Sequence, residues 1–330
     1  MARENLAFLT GVVAKSPTIV KQGDEYKYAM VYLIVSRGLR EVGDNRKYMK
    51  CDNPVIMTRD PKWVKEIETW EKYDIVSVKG MIASKRIMKT SICKTCGAKN
   101  SQPGSLVYVY PIYAEKLGSL ETKEQVVEYL SDHREISNQV YVFGHVCCEP
   151  KKIRPKSDLI VTQYQVALTR KFRIRTDSPD TRTDFPWVKS YGKNAEEDKL
   201  RLTTGSEVYI DGCLQARSVL RHAICGQAFG LDGKGMFEQD EEGHAIPVQR
   251  VDASGKPVGC LSLYDWRDRA LEIVPYATEY LSDYKTDDMI EKEKLKKAIS
   301  STVNGESTDE DAITEKDYEN GFDDMKDAED

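Results

Sequence analysis

The sequence predicts a mainly β protein: two tandem copies of one five-stranded barrel, a linker helix between them, and a disordered acidic C-terminal tail. Three observations predict it. Landmark residues recur at a fixed offset, apolar and polar residues alternate through most segments between them, and the last 25 residues carry almost only negative charge. The recurrence sets the architecture. Asn5 and Gly11 are matched by Asn138 and Gly144, Arg37 by Arg170, Pro54 and Gly80 by Pro186 and Gly212, and Cys93 by Cys225. The offset is 133 at the start and 132 later, so one residue of slippage spans about 90 residues of each copy. So many matched landmarks indicate a duplication.

Each copy then reads as strands in order. Leu6 to Leu9 and Val140 to Phe143 are short apolar runs ending at a glycine, and Tyr28 to Val35 and Tyr164 to Leu168 are rich in β-branched and aromatic residues. A short helix follows the third strand. In the first copy Trp63, Ile67 and Trp70 have helical spacing and are assigned to the core; in the second, Asn194 to Leu200 takes that place. Asp74 to Gly80 and Ser206 to Gly212 alternate as fourth strands, and Val107 to Tyr113 and Leu271 to Ala277 are fifth strands. Five strands with a helix between the third and fourth is the order of an OB-fold, and strand-ending glycines suit its bends. The predicted layout is a first OB-fold over 1–117, a helical linker over 118–137, a second OB-fold over 138–283 with an insertion at about 226–266, a helix over 284–305, and the tail over 306–330.

Charge is unevenly spread. The chain of 330 residues has 49 basic and 54 acidic side chains, a net of −5. Residues 306–330 hold 12 acidic and 2 basic ones, which leaves 47 basic and 42 acidic residues before them, a net of +5. A mildly basic body on a polyanionic tail points toward a polyanionic partner. An apolar fraction of 40% suffices for globular cores, and no run nears the roughly 18 residues of a membrane helix. There is no P-loop, no GxSxG and no HExxH, and the four histidines are scattered, so no enzyme is expected. Eight cysteines without a secretory segment read as reduced thiols or metal ligands, so a cytoplasmic location is expected, bacterial or that of an infected host.

In the second copy, Asn138 to Gly144, Tyr164 to Arg170, Asp184-Phe185-Pro186-Trp187 and above all Leu202 to Arg217 resemble the bacterial-type single-stranded DNA-binding protein family. The first copy resembles it over residues 5–86, chiefly through its duplication partner. The resemblance implies coating of single-stranded DNA in replication, repair or recombination, two or four barrels per functional unit, hence a homodimer of this two-barrel chain, and partner proteins recruited through the acidic tail. No cofactor is implied. The alternative is an OB-fold accessory protein of replication or recombination acting mainly through protein contacts; a third reading is an enzyme subunit that delivers DNA. Three departures stand out. The chain ends Lys326-Asp327-Ala328-Glu329-Asp330 rather than on an apolar tip, with Phe322 and Met325 internal; no Gly/Gln/Pro-rich linker precedes the tail; and cysteines populate the loops between strands four and five.

Sequence-tolerant binding needs basic residues for phosphates and flat rings for bases. In the second copy the candidates are Trp187, Lys189, Tyr191 and Lys193, the run Arg170, Lys171, Phe172 and Arg173, and Arg217 and Arg221. The resemblance puts Trp187 where the family has a base-stacking tryptophan, and Tyr191 near a stacking phenylalanine. In the first copy they are Arg37, Lys47, Tyr48, Lys50, Lys85 and Arg86.

Cys93-Lys94-Thr95-Cys96-Gly97 has the knuckle spacing that turns two thiolates toward one Zn²⁺, and the duplicated position reads His222-Ala223-Ile224-Cys225. One zinc held by Cys93, Cys96, His222 and Cys225 fits this spacing. A rival set, His222, Cys225, His244 and Cys260, lies wholly in the second loop, and unligated thiols are the third reading. Cys51, Cys147, Cys148 and Cys213 sit on or beside strands and read as buried small residues.

Overall fold

The structure is a computed structural model that describes residues 4–23, 25–38, 49–156, 159–172, 182–229, 247–249, 251–260 and 262–304. It is mainly β. The first copy comprises β1 (Asn5–Val13), β2 (Thr18–Gln22), β3 (Glu25–Ser36), β4 (Cys51–Asp52), β5 (Val55–Thr58), α1 (Pro61–Glu68), β6 (Asp74–Ile92) and β7 (Lys99–Ser119). After α2 (Lys123–Asp132) and α3 (Arg134–Ser137), the second comprises β8 (Asn138–Val146), β9 (Lys151–Lys156), β10 (Leu159–Thr169), β11 (Thr183–Asp184), β12 (Trp187–Tyr191), α4 (Lys193–Arg201), β13 (Glu207–Ile224), β14 (Gln227–Phe229), β15 (Pro247–Gln249) and β16 (Leu263–Ser282), followed by α5 (Asp287–Asn304).

Each copy is an OB-fold by its pairings. In the first, β1 pairs β3, β3 pairs β5, β5 pairs β7 in parallel, β7 pairs β6, and β6 returns to β1. The second repeats the circuit as β8, β10, β12, β16 and β13. Even the parallel contact is kept, Ile56 against Val109 and Val188 against Ile273. The helices follow from local chemistry. Asp60 caps α1 by accepting the Lys62 N–H, Pro61 opens it, and Trp63, Ile67 and Trp70 are buried as their spacing predicts. A capping box between Thr122 and Gln125 starts α2.

The chain divides into two compact units, and the division does not follow the two copies. One contains residues 4–84, 107–216 and 271–304; the other contains 85–106 and 217–270. The reason is strand length: β6 has 19 residues and β13 has 18, so both continue well past Gly80 and Gly212. Those glycines do not end strands, as the sequence suggested. A Cβ at Gly80 would strike the Tyr110 carbonyl, and one at Gly212 the Val274 carbonyl. Gly11 and Gly144 likewise lie within β1 and β8, where a Cβ would sit 2.5 Å from the Ile34 oxygen and 2.7 Å from the Ala167 oxygen. All four permit close backbone approach within the circuit.

The first unit holds both OB-folds and one continuous apolar core, from Ala7 and Leu9 through Val31, Ile56 and Trp70 to Val166, Val188, Ile210 and Ile273. The copies are joined edge to edge by β1 and β8, antiparallel, with Asn5 opposite Val142, Ala7 opposite Val140 and Leu9 opposite Asn138. Ala7 and Val140 are duplication partners facing each other, so this join has a two-fold axis within one chain. The buried Asn5 and Asn138, beside it, each tie their strand to the next strand of their own copy. Asn5 bonds the Ile82 N–H and C=O at 2.9 Å, and Asn138 bonds those of Leu214 at 2.9 and 2.8 Å. Left unpaired there, each amide would cost several kcal/mol, roughly 1–3 per group.

Candidate nucleic-acid interface and cysteine cluster

In the second copy, β12 pairs with β10 so that Trp187 lies opposite Gln165, Lys189 opposite Gln163 and Tyr191 opposite Val161. Alternation puts Trp187, Lys189 and Tyr191 on one face and turns Val188 and Ser190 into the core. Trp187 is 37% exposed. Phe185, just before it, and Phe172, just after β10, are each 46% exposed. Large rings held open to water offer stacking surfaces, and Lys171, adjoining Phe172 in sequence, and Lys193, just past β12, are exposed as well. Tyr191 is half-buried and its phenol accepts a bond from Gln215 at 3.4 Å. Phe185 belongs to the family-like stretch but not to the residues that the sequence assigns to the site; its place directly ahead of Pro186 is the sequence signal for its exposure.

Three of the basic candidates have other positions. Lys189 is only 1% exposed, its ammonium 3.5 Å from the buried Glu272. Arg170 is 5% exposed and makes a two-pronged bond to Asp184, at 2.5 and 2.6 Å. Arg37 makes the equivalent bond to Asp52. These correct the expectation of phosphate contacts: the guanidinium groups close on carboxylates 14 or 15 residues ahead and leave little surface for a ligand. Both carboxylates also cross between the copies. Asp184 accepts the Ser84 N–H at 2.6 Å, and Asp52 accepts the Ala216 N–H at 2.8 Å. Ser84 and Ala216 are duplication partners, so the two ion pairs form a reciprocal clasp.

The first copy has a different outer face. Tyr26, Tyr28, Met30 and Tyr32 alternate along β3 with the buried Ala29, Val31 and Leu33. Tyr32 stands opposite Val55, where the second copy has Gln165 opposite Trp187, and Lys15 lies 4.7 Å over the Tyr32 ring. The aromatic group has moved from one strand to its neighbour. Lys50 is half-buried. Lys47, Tyr48 and Arg173 lie outside the described residues.

The second unit carries Lys85 and Arg217, half-buried, and the exposed Arg86 and Arg221. Arg221 is paired with Asp268 at 2.6 Å. The same unit brings four thiols together: Cys93, Cys96, Cys225 and Cys260 have all their sulfurs within 4.8 Å of one another. His222 is not among them; its Nδ1 bonds Asp265 at 2.6 Å. The expected set of Cys93, Cys96, His222 and Cys225 is thereby corrected, with Cys260 in the place of His222. Strand parity explains it. His222 lies on the exposed side of β13, and Cys225, three residues on and just past its end, is buried, whereas Cys93 and Cys96 bracket a turn that brings their sulfurs together. His244, of the rival set, lies outside the described residues. Burial raises the Cys93 thiol, but N–H groups of Cys96 and Thr95 outweigh this and hold it at about 6. The Ala98 N–H lowers the Cys96 thiol, yet the surrounding Cys225, Cys260 and Cys93 sulfurs push it up to about 11.

Residues 137–223 match the model of the single-strand binding protein family, which spans β8 to β13 and includes Trp187 and Tyr191. A curated relative, single-stranded DNA-binding protein 1 of Chlorobaculum tepidum, is 30% identical over 81 residues. That is 24% of this chain and 50% of the relative, so the chain spans about half the length of the curated relative it matches. Among solved structures, the wild-type single-stranded DNA binding protein from Thermus aquaticus is 17% identical at a TM-score of 0.44, covering 65% of this chain and 87% of that one. The Plasmodium falciparum SSB complex with ssDNA is 21% identical at a TM-score of 0.28, covering 37% and 98%. The family resemblance read from the second copy is therefore the one the family model finds. No helix among the described residues is long and apolar enough to cross a membrane.

Proposed function

We propose that this chain binds single-stranded DNA with little sequence preference and coats it during replication, repair or recombination, without a catalytic step. The observation that carries this is that three large rings, Phe172, Phe185 and Trp187, and two lysines, Lys171 and Lys193, are exposed within the segment that matches the family. Bases stack on such rings whatever their identity, and lysines neutralise the backbone between them. The first copy contributes through Tyr32 and its neighbours on β3. Binding partners recruited by the acidic C-terminal segment, assembly as a homodimer and a cytoplasmic location belong to the same reading.

Titration with oligo-dT of increasing length tests it. Tight binding that strengthens with length and weakens with salt, with quenching of tryptophan fluorescence, is the expected result. Trp187→Ala should weaken binding by the ~1–3 kcal/mol of one stacked base. Weak, length-independent binding by the wild type would refute the reading. Unchanged affinity in a folded Trp187→Ala protein would remove that ring from the site.

A further inference from the structure

We infer that the second unit is built around a zinc ion held by Cys93, Cys96, Cys225 and Cys260. The geometry fits a tetrahedral site, with all four sulfurs within 4.8 Å of one another. Cys93 and Cys260 sulfurs are 3.7 Å apart and those of Cys96 and Cys225 3.5 Å. Zinc–sulfur bonds of about 2.3 Å require edges of about 3.8 Å in a tetrahedron. A disulfide would need about 2.05 Å, and all four cysteines are free. Four soft sulfur donors with no carboxylate or imidazole among them select a thiophilic cation over calcium or magnesium.

The chain around the sulfurs is shaped for them. The Cys93 N–H donates to the Ala98 carbonyl at 3.0 Å, and the Gly97 N–H to the Cys93 carbonyl at 2.9 Å, which closes the knuckle turn. Gly97, Gly226 and Gly259 each adjoin a ligand, and each has a left-handed φ, of +71°, +81° and +97°. Any side chain at Gly226 would collide with the Val258 carbonyl, and a Cβ at Gly259 would lie 2.7 Å from the Cys225 sulfur. The buried Asn100 donates to the Cys225 sulfur at 3.7 Å and accepts the Gly226 N–H at 2.7 Å, and the Ser262 hydroxyl lies 2.8 Å from the Cys260 sulfur. Such outer partners orient metal ligands.

Among the described residues the unit has only a small apolar core beside its ion pairs, Lys89 and Arg221 with Asp268. Its apolar cluster consists of Cys93, Ala223, Cys225 and Tyr264, with Ala98 and Trp266 packed against it. A core of that size stabilises little, and small units with such cores are commonly held by a metal. The ligands come from both copies, the β6–β7 turn in the first and the segments flanking the long loop in the second. One ion would then tie together chain segments more than a hundred residues apart in sequence.

Metal analysis of the full-length protein, purified without chelator, should find about one zinc per chain. Cobalt(II) added after zinc removal should give the intense visible bands of a tetrahedral site with thiolate charge transfer in the near ultraviolet. Cys96→Ser and Cys260→Ser alter exposed ligands and should each lose the zinc, while His222→Ala keeps it. Metal-free, folded wild type that yields no tetrahedral cobalt spectrum would overturn the proposal. So would iron in place of zinc, or zinc that survives Cys260→Ser and is lost from His222→Ala. None of these readouts involves DNA, so the result stands apart from the proposed function.

Discussion

Replacing Asp184 by alanine removes a carboxylate with no exposed surface and four polar contacts: two from Arg170, at 2.5 and 2.6 Å, and the Ser84 N–H and hydroxyl, at 2.6 and 3.2 Å. Arg170, 5% exposed, loses the carboxylate on which its two-pronged bond closes. Breaking a buried pair from one side costs ~3–5 kcal/mol, and the orphaned Ser84 N–H puts Asp184→Ala in the upper part of that range. Against a typical total of ~5–15 kcal/mol, this is a large fraction. Replacing both partners, Arg170→Met with Asp184→Leu, removes the desolvation of two charges and leaves the Ser84 N–H and hydroxyl without this acceptor, a loss of ~1–3 kcal/mol. The double variant should therefore be about 2 kcal/mol more stable than the single one. Asp52→Ala should cost less than Asp184→Ala, because the Arg37 side chain is 18% exposed and water can reach it. Urea melts followed by circular dichroism measure all three, as shifts in midpoint at unchanged slope. Asp184→Ala within about 1 kcal/mol of wild type, or a double variant weaker than the single one, would refute the clasp as a stabilising element.

Acid should weaken the first unit partly through Asp74. Burial raises its carboxyl, but Lys116, the Glu71 N–H and the Ser119 hydroxyl together hold it below the ordinary 3.8. Its contribution is thus complete above about 3.8 and is lost as pH falls through the folded-state value; Asp198, which burial holds above 3.8, acts in the opposite sense. Asp74→Asn should flatten the dependence of stability on pH below 4, and an unchanged slope in thermal melts across that range would exclude it. Phe185→Ala should weaken oligo-dT binding by an amount comparable to Trp187→Ala, ~1–3 kcal/mol, and an unaffected Kd would limit stacking to Trp187. Ending the chain at Gly305 removes a net charge of −10 and should raise affinity for single-stranded DNA at low salt, and less at high salt; equal affinities over a salt series would show that the tail does not compete for the site.

The duplication and strand order were legible because spacing survives where residue types do not, and the linker helix because Val126, Val127 and Leu130 form an apolar stripe in a polar segment. Whether a strand-borne cation faces water was harder to read. Arg37 and Arg170 looked like surface groups at strand ends, yet Asp52 and Asp184 recur at the duplication offset and were the signal that each arginine has a fixed partner. Lys189 shares a face with Trp187 and Tyr191, so alternation placed it correctly; its burial depends on Glu272, 83 residues ahead on a strand whose register no local pattern gives. At the cysteine cluster, spacing suggested that His222 and Cys225 act together, but that rule belongs to turns and helices. In an extended segment, three residues reverse the side chain, and the fourth sulfur had to come from Cys260, beyond a long insertion.

Where the copies agree and where they differ follows from what the two-fold join constrains. The asparagines that tie β1 to β6 and β8 to β13, the Arg–Asp pairs, and Ala7 facing Val140 across the axis each have a counterpart whose geometry depends on them. A change at either aspartate would unpair a backbone N–H of the other copy, so that part of the join tolerates little divergence. The outer faces carry no such reciprocity. There Val55 and Met57 stand where the second copy has Trp187 and Lys189, and Tyr32 stands where it has Gln165. In a symmetric dimer of identical chains every substitution appears twice; in a duplicated chain each face changes alone. On the proposed function, one face would then offer its ring from β3 and the other from β12, so a strand lying over both would meet stacking groups at unequal intervals.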